Sequence, residues 1–235
     1  MSGSSSRSGW SERSSMIFFD LDGTLLDDDA EVQAAVARFH DRFRQELPAD
    51  PAAFLVRWRE LSECWFNRYL KGEVGFQGQR RGRMRELFPE LDDEEADRRY
   101  SVFLAGYEQN WRLFPDVQPA LAALAGKPLG IITNGDSVQQ RSKLDRMGIA
   151  DRFSVVIISG EMGVAKPEPG IFAEACRRAG EAPGLCWYVG DRLETDAMAA
   201  VAAGMRGVWL NRDPARPADP RVPTIRTLAE VPALV

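Results

Sequence analysis

Hydrophobic and polar positions fall into three regimes along the chain. The first is a short apolar run at Ile17–Phe19 that ends on Asp20. A run without polar alternation reads as a strand buried on both faces, as in a parallel sheet covered by helices. The second regime, from about residue 28 to residue 112, keeps a helical period. Val32, Val36, Phe39, Phe43 and Leu47 form one stripe, and Pro48 and Pro51 break it. Phe54, Trp58, Leu61, Trp65 and Tyr69 form the next. Gly72, Gly75 and Gly78 loosen the chain before a shorter basic helix with Met84, Leu87 and Phe88. Asp92 and Glu95 have capping-box spacing and open a fourth helix with Tyr100, Phe103, Tyr107 and Trp111 on one face. One acid of Asp27-Asp28-Asp29 is expected to cap the first of these helices.

In the third regime strands and helices alternate. Strands are expected at Leu129–Ile132, Ser154–Ile158, Leu185–Val189 and Gly207–Leu210. A short helix flanked by Pro115 and Pro119 is expected to run to Ala125, and others are expected over Ser137–Met147, Pro169–Ala179 and Glu194–Ala203. Arg212–Pro223 reads as a Pro- and Arg-rich loop, followed by a short terminal helix. This alternation predicts an α/β fold with a doubly wound parallel sheet. The first strand needs the later ones to complete its sheet, in the order 5-4-1-2-3, so the helical regime is an insertion. The expected organisation is a core of residues 16–27 and 113–235, an inserted all-helical cap over 28–112, and a disordered tail over 1–15.

Composition narrows the partners. The chain has 235 residues, 44% of them apolar, enough for a core with an insert. A net charge of −5 gives no long-range attraction to nucleic acid or to an anionic membrane. No apolar run approaches the ~20 residues of a membrane span, and the Ser-, Gly- and Arg-rich start lacks a secretory h-region. Three cysteines, Cys64, Cys176 and Cys186, cannot all pair and show no metal-type spacing. They read as reduced core thiols in a cytoplasmic protein. The only histidine, His40, reads as a bundle-edge residue.

Chemistry concentrates where strands end. Asp20 closes the first strand, Asp22 follows, and Gly23 allows a close turn. Ligands of open α/β sheets bind beyond the carboxyl ends of the strands, and two carboxylates there suit a hard cation and a phosphate. Asp-x-Asp alone would more readily be a turn satisfying loop amides. Three further clusters sit at or beyond later strand ends: Thr133-Asn134, Lys166-Pro167, and Asp191 with Asp196.

The order Asp-x-Asp-Gly-Thr, Thr-Asn, Lys-Pro, Gly-Asp-x-x-x-x-Asp resembles the haloacid dehalogenase-like superfamily from about residue 16 to the C-terminus, and an insert between the first two motifs looks like its helical type-1 cap. The resemblance implies a Mg²⁺-dependent phosphatase acting on a small phosphate monoester. Asp20 would be the nucleophile, forming an aspartyl-phosphate. Mg²⁺ would be held by Asp20, the backbone carbonyl of Asp22, and Asp191. The Asp22 side chain would protonate the leaving oxygen and then activate water. Thr133 and the Asn134 amide would bind phosphate oxygens, Lys166 would neutralise nucleophile and phosphate, and Asp196 would orient the metal shell or Lys166. Thr195 stands where many relatives have Asn.

The stretches Thr133–Asp136, Gln139-Gln140, Lys143-Leu144 and Ile158–Pro167 are similar to the pyrimidine 5′-nucleotidases and N-acylneuraminate-9-phosphatases of subfamily IA. A nucleoside 5′-monophosphate is the substrate this suggests. Asp22 disfavours a dehalogenase, which does not need an acid for an alkoxide leaving group. A phosphomutase retains Asp22 and stays open; against the further alternative, a non-catalytic phosphate-ligand-binding protein, stands the intact set Asp20, Asp22, Thr133, Lys166 and Asp191. Selection among substrates is expected from the cap, with Arg80–Arg85 and Trp65 as first candidates, although a charge run such as Arg80, Arg81, Arg83 and Arg85 is more often a solvated face. The cap is expected to move on linkers near Leu26–Asp29 and Arg112–Asp116.

Overall fold

The computed structural model describes residues 15–235, so the tail expected over 1–15 lies outside the described residues except for Ser15. Strand β1 (Met16–Phe19) is buried at every position. Its alternate side chains enter two different cores. Ile17 and Phe19 pack with α5 (Val117–Ala123), while Met16 and Phe18 pack with α8 (Pro169–Ala179). A strand sandwiched this way has no solvent face on which to place a polar residue, which is why its sequence does not alternate.

β1 lies at the centre of the sheet. It pairs in parallel with β2 (Leu129–Thr133) and with β4 (Cys186–Gly190), setting Ile17 opposite Leu129 and Phe18 opposite Tyr188. β3 (Val155–Ile158) flanks β2, and β5 (Arg206–Leu210) flanks β4. The expected order is found, extended by β6 (Thr224–Ile225) beyond β5. β6 lies just past the loop expected over Arg212–Pro223 and has no counterpart among the expected strands, since two residues carry no readable period. The core sequence also contains α6 (Ser137–Arg146) and the short α7 (Ser159–Met162). In place of one helix over Glu194–Ala203, the backbone makes a wide π-type turn at Leu193–Met198 and then α9 (Ala199–Ala202). Gly207 lies beneath this turn, where an added Cβ would stand 2.1 Å from the Ala197 carbonyl oxygen.

Between β1 and α5 lie α1 (Asp28–Arg42), α2 (Pro51–Leu70), α3 (Phe76–Leu87) and α4 (Asp93–Gln109). Their buried stripes converge on Phe39, whose ring centre is 4.8 Å from that of Phe43 and 5.1 Å from that of Trp58. Trp58 stacks in turn toward Phe103 at 4.6 Å. The two chain segments joining these helices to the sheet run side by side: the Asp27 amide donates to the Arg112 carbonyl at 3.0 Å and the Phe114 amide to the Leu25 carbonyl at 3.0 Å.

Several local expectations are corrected. Asp27 occupies the cap position of α1, but its side chain pairs with Arg112 at 2.8 Å and makes no capping bond. Asp92 does cap α4, accepting from the Glu95 amide at 2.8 Å. Trp111 lies past the end of α4. His40 is buried inside the bundle, with Nε2 2.7 Å from the Pro48 carbonyl oxygen, where its polar atom finds a partner. Cys64 is exposed, unlike buried Cys176 and Cys186. Among the described residues no helix is long and apolar enough to cross a membrane.

Gly207→Ala should overpack the π-type turn against β5 and remove roughly 1–3 kcal/mol of stability, because the clash is with backbone that cannot rotate away. A urea midpoint equal to that of the parent protein would show that the turn yields freely.

Candidate active site

The hydrophobic pairing of β1 with β4 sets the ends of both strands side by side. Asp20 follows β1, its amide donating to the Val189 carbonyl at 2.9 Å, and Asp191 follows β4. Asp196 enters from the π-type turn. Carboxylate oxygens of Asp20, Asp191 and Asp196 lie within 4.8 Å of one another. Two missing side chains allow this crowding. At Gly23, with φ of +77°, an added Cβ would stand 2.6 Å from Asp191 Oδ2. At Gly190 it would stand 2.5 Å from Asp196.

Lys166 reaches this cluster from the connection after β3. Its Nζ lies 2.8 Å from Asp20 Oδ1 and 2.7 Å from Asp196 Oδ1, and it donates to the Tyr188 hydroxyl at 2.8 Å. Asp196 is fully engaged, since its other oxygen accepts from the Arg192 amide at 3.0 Å. The sequence expectation gave Asn134 a backbone role toward phosphate. Its side chain makes a second, unforeseen arrangement, accepting from the Lys166 amide at 2.8 Å and donating to the Lys166 carbonyl at 2.9 Å. Asn134 thereby fixes the backbone that carries the lysine.

Asp22 points elsewhere. Its Oδ1 pairs with Lys143 Nζ at 2.7 Å and its Oδ2 accepts from Gln140 Nε2 at 2.9 Å. The same Gln140 amide donates to Thr133 Oγ1 at 2.8 Å. Lys143 is 3% exposed at its side chain, so this is a buried clamp and not a surface pair. Its Nζ also lies 5.6 Å from the ring centres of both Tyr107 and Trp111, which come from the helical insert.

Site electrostatics are dominated by burial. Two opposed pulls act on Asp20: the Lys166 ammonium lowers its pKa, while burial and the charges of Asp196 and Asp191 raise it. Lys166 is shared with Asp196, so burial wins and Asp20 is pushed up to about 7. Asp191 rises to about 6, again through burial first and Asp196 second. The acids in turn raise Lys166 to about 12 against its own desolvation. Asp28, half-buried at the start of α1, rises to about 7 through burial and the neighbouring charge of Asp22.

This arrangement suits a divalent cation. Crowded oxygens at a strand end, destabilised as anions by burial, are relieved by a positive charge with hard-ligand preferences. Asp20 and Asp191 have oxygens free of a second strong donor, whereas Asp196 does not.

Sequence reasoning named Asp20, Asp22, Thr133, Asn134, Lys166, Asp191 and Asp196, and all seven lie at this end of the sheet. It gave no role to Thr24, whose hydroxyl accepts from the Asp191 amide at 3.0 Å, or to Tyr188. Gln140 and Lys143 appeared only as points of resemblance. Their signal was present: both are polar residues on the inward face of α6, one helical turn apart, beside buried Leu144. Trp65 is placed differently from the expectation. Its ring packs on Gly82 beneath Arg68, in the wall of a cavity of about 390 Å³ between α2 and α3 that includes none of the strand-end acids.

Comparison with known proteins agrees with this geometry. Residues 15–204 match a family model described as a hydrolase, haloacid dehalogenase-like hydrolase. The chain is 33% identical to a phosphoserine phosphatase of Thermus thermophilus, covering 87% of this chain and 91% of the relative. It is 29% identical to the N-acylneuraminate-9-phosphatase of Homo sapiens, covering 84% and 82%. Among solved structures, a 2-haloacid dehalogenase from Pseudomonas syringae superimposes with a TM-score of 0.69 at 30% identity, covering 94% of this chain and 97% of the other.

The raised pKa of Asp20 fixes a pH dependence. Its folded value of about 7 exceeds the unfolded value of 3.8, so the folded state holds the extra proton between them. Stability from this group is therefore complete below pH 3.8 and lost as pH rises through about 7. Without metal, Asp20→Asn should melt above the parent at pH 7.5, and the gap should close toward pH 4. A gap independent of pH would contradict the burial argument.

Proposed function

The chain belongs to the haloacid dehalogenase-like hydrolase family, and from that membership together with the strand-end geometry we propose that it is a Mg²⁺-dependent phosphatase hydrolysing a small phosphate monoester. The observation that carries this reading is the pair of differently treated acids on one loop. Asp20 lies in the carboxylate cluster beside Lys166, and Asp22 is held apart by Lys143 and Gln140.

In this reading Asp20 attacks the phosphorus atom and becomes an aspartyl-phosphate while the alkoxide departs. The Asp22 carboxyl group gives a proton to that alkoxide. In the second half it takes a proton from the water that attacks the phosphoryl group, restoring Asp20 and releasing phosphate. Bound between Asp20, Asp191 and the Asp22 carbonyl, Mg²⁺ would supply the charge that lets a carboxylate approach a phosphate dianion. Lys166 offsets negative charge on Asp20 and on the phosphoryl oxygens, held in line by Asp196, Tyr188 and Asn134. Thr133 offers a hydroxyl oriented by Gln140. The helices over 28–112 act as a cap that closes on the paired linkers at Leu25–Asp27 and Arg112–Phe114, excluding water and selecting the leaving group.

The likeness to a dehalogenase gives a second reading a specific basis, and Asp22 separates the two. A halide departs without a proton, so a dehalogenase has no task for a clamped second acid. A nucleoside 5′-monophosphate is the finer substrate suggested by the motif resemblance. The aromatic wealth of the cap supports it less than the sequence implied, because Phe39, Phe54, Trp58 and Phe103 are consumed in the bundle core.

With 4-nitrophenyl phosphate and Mg²⁺, activity should be lost on adding EDTA and return with excess Mg²⁺. Asp20→Asn should lower kcat by several orders of magnitude while leaving the circular dichroism spectrum unchanged, since no other residue is placed to carry the phosphoryl group. Halide release from 2-chloropropionate, with no phosphate release from any ester, would overturn the phosphatase reading in favour of the second.

A further inference from the structure

Asp191 is held by more than its place after β4. Its backbone carbonyl accepts from Trp209 Nε1 on β5 at 2.9 Å. Its amide donates to the Thr24 hydroxyl at 3.0 Å, and that hydroxyl donates back to Asp191 Oδ1 at 3.2 Å. Thr24 is buried in the turn that follows Asp20. This turn is closed by its own backbone: the Gly23 amide donates to the Leu26 carbonyl at 2.9 Å, and the Leu25 and Leu26 amides donate to the Leu21 carbonyl at 2.9 Å and 2.8 Å. The Thr24 carbonyl takes its donor from elsewhere. Arg212, in the loop just past β5, donates to it through Nη2 at 3.0 Å.

Arg212 is fixed on two further sides. Its Nη1 lies 2.9 Å from Asp116 Oδ2 and its Nη2 lies 3.1 Å from Asp116 Oδ1, a two-pronged pair. Its guanidinium carbon stands 3.8 Å from the centre of the Phe114 ring. Asp116, just before α5, also accepts from the Thr227 hydroxyl at 2.7 Å and the Leu228 amide at 2.9 Å. Burial works to raise the Asp116 pKa, but these donors, Arg212 first, hold it below the usual carboxylate value. Arginine suits the place because a planar fork serves a carboxylate and a carbonyl at once while its face lies on a ring. Anchoring the loop after β5 needs only the pair with Asp116 and the stack on Phe114. The bond to Thr24 goes beyond anchoring, because it reaches the residue whose hydroxyl touches the Asp191 carboxylate.

We infer that Arg212 is a positioning residue for the cation site: by holding the Thr24 carbonyl it fixes the Thr24 hydroxyl, and through it the direction in which Asp191 presents its other oxygen to Mg²⁺. This rests on the Mg²⁺-dependent reading and deepens it. A partner behind a metal ligand sets that ligand's orientation, and here the partner is itself held by a third group. The fit leaves little slack, since an added Cβ at Gly23, next to Thr24, would stand 2.6 Å from Asp191 Oδ2. A rotation of this turn therefore shifts both surfaces that Asp191 rests on. Charge alone argues the other way. Removing the guanidinium leaves Asp116 as an uncompensated anion, which would draw a cation more strongly. The sign of the effect on Mg²⁺ thus separates positioning from simple electrostatics.

The test reads Mg²⁺ binding by the full chain, without substrate, from the rise in melting temperature across a Mg²⁺ titration. Arg212→Met keeps a side chain able to lie on Phe114 and should raise the Mg²⁺ concentration needed by about 10-fold, the lower end of what losing a partner behind a ligand costs. Thr24→Val should raise it at least as much. Adding Arg212→Met to Thr24→Val should cost little more, because the two act in series. Arg212→Lys, a point charge in place of a fork, should recover part of the loss. With 4-nitrophenyl phosphate and saturating Mg²⁺, the kcat of Arg212→Met should return close to the parent value. Thr227→Val controls for general loosening: it loses a bond to Asp116, should melt lower and should bind Mg²⁺ like the parent. Should Arg212→Met fail to fold, Arg212→Lys takes its place, alone and combined with Thr24→Val. Unchanged or tighter Mg²⁺ binding on losing Arg212, additive losses in the double variant, or an equal loss in Thr227→Val defeats the positioning role alone. No Mg²⁺-dependent rise in the parent defeats the cation site and this inference with it, and no phosphate release from any ester defeats the phosphatase reading.

Discussion

Everything in this molecule depends on holding Asp20, Asp191 and Asp196 within 4.8 Å of one another where water is scarce. Three like charges so placed repel, and burial removes the solvent that would screen them. Lys166 supplies one positive charge, shared between Asp20 and Asp196, and Tyr188 and Asn134 keep it there. The remaining deficit explains why Asp20 is driven to about 7 and Asp191 to about 6. A fold that tolerates this must fix the acids through its backbone, since their side chains would separate if free. The central position of β1, with register set on both sides by apolar pairs, provides that rigidity.

A second tension couples the sheet to the helices above it. Lys143 belongs to the core, yet its ammonium lies between Asp22 and the rings of Tyr107 and Trp111. The orientation of Asp22 and the position of the bundle thus share one residue. Any displacement of those rings would also change the surroundings of the acid. The antiparallel pairing of the two linkers, Asp27 with Arg112 and Leu25 with Phe114, makes a narrow double connection between the sheet and the helices.

The parts legible in the sequence were those set by period and by backbone. Uninterrupted apolar strands, helical stripes and the change of period near residues 28 and 112 gave the sheet order and the helical insert. The strand-end acids were legible because a parallel sheet exposes chemistry at its carboxyl ends whatever the side chains elsewhere. What escaped was of another kind. Gln140 and Lys143 sit where an amphipathic pattern expects apolar residues, so they read as noise until the acid they serve is located. Asp27 has the right residue type for a helix cap but was taken by Arg112, eighty-five positions away. β6 and the π-type turn depend on tertiary contacts, with Gly207 and with β5, that no local window contains. That Arg81 and Arg85 pair with Asp93 while Arg83 is buried against Ser62, Gln79 and Tyr100 depends on how the helices pack in the bundle, which spacing along one helix cannot show.

Asp22 also bears on what leaves. Expelling an alkoxide from a phosphate ester near neutral pH demands a proton at the departing oxygen, whereas expelling a halide from carbon demands none. A carboxyl group two residues past Asp20, with both oxygens fixed by buried partners, has no use in the second reaction. Both Lys143 and Gln140 are buried in α6 to contact it, at a desolvation cost that an apolar pair would avoid. Gln140 also ties that acid to Thr133, so one amide aligns the Asp22 carboxyl group with a hydroxyl at the neighbouring strand end. Under the proposed reading, such a connection serves when the group bound beside Thr133 and the group protonated by Asp22 belong to one molecule. A phosphate ester, with its phosphoryl oxygens and its bridging oxygen on the same phosphorus, meets that condition.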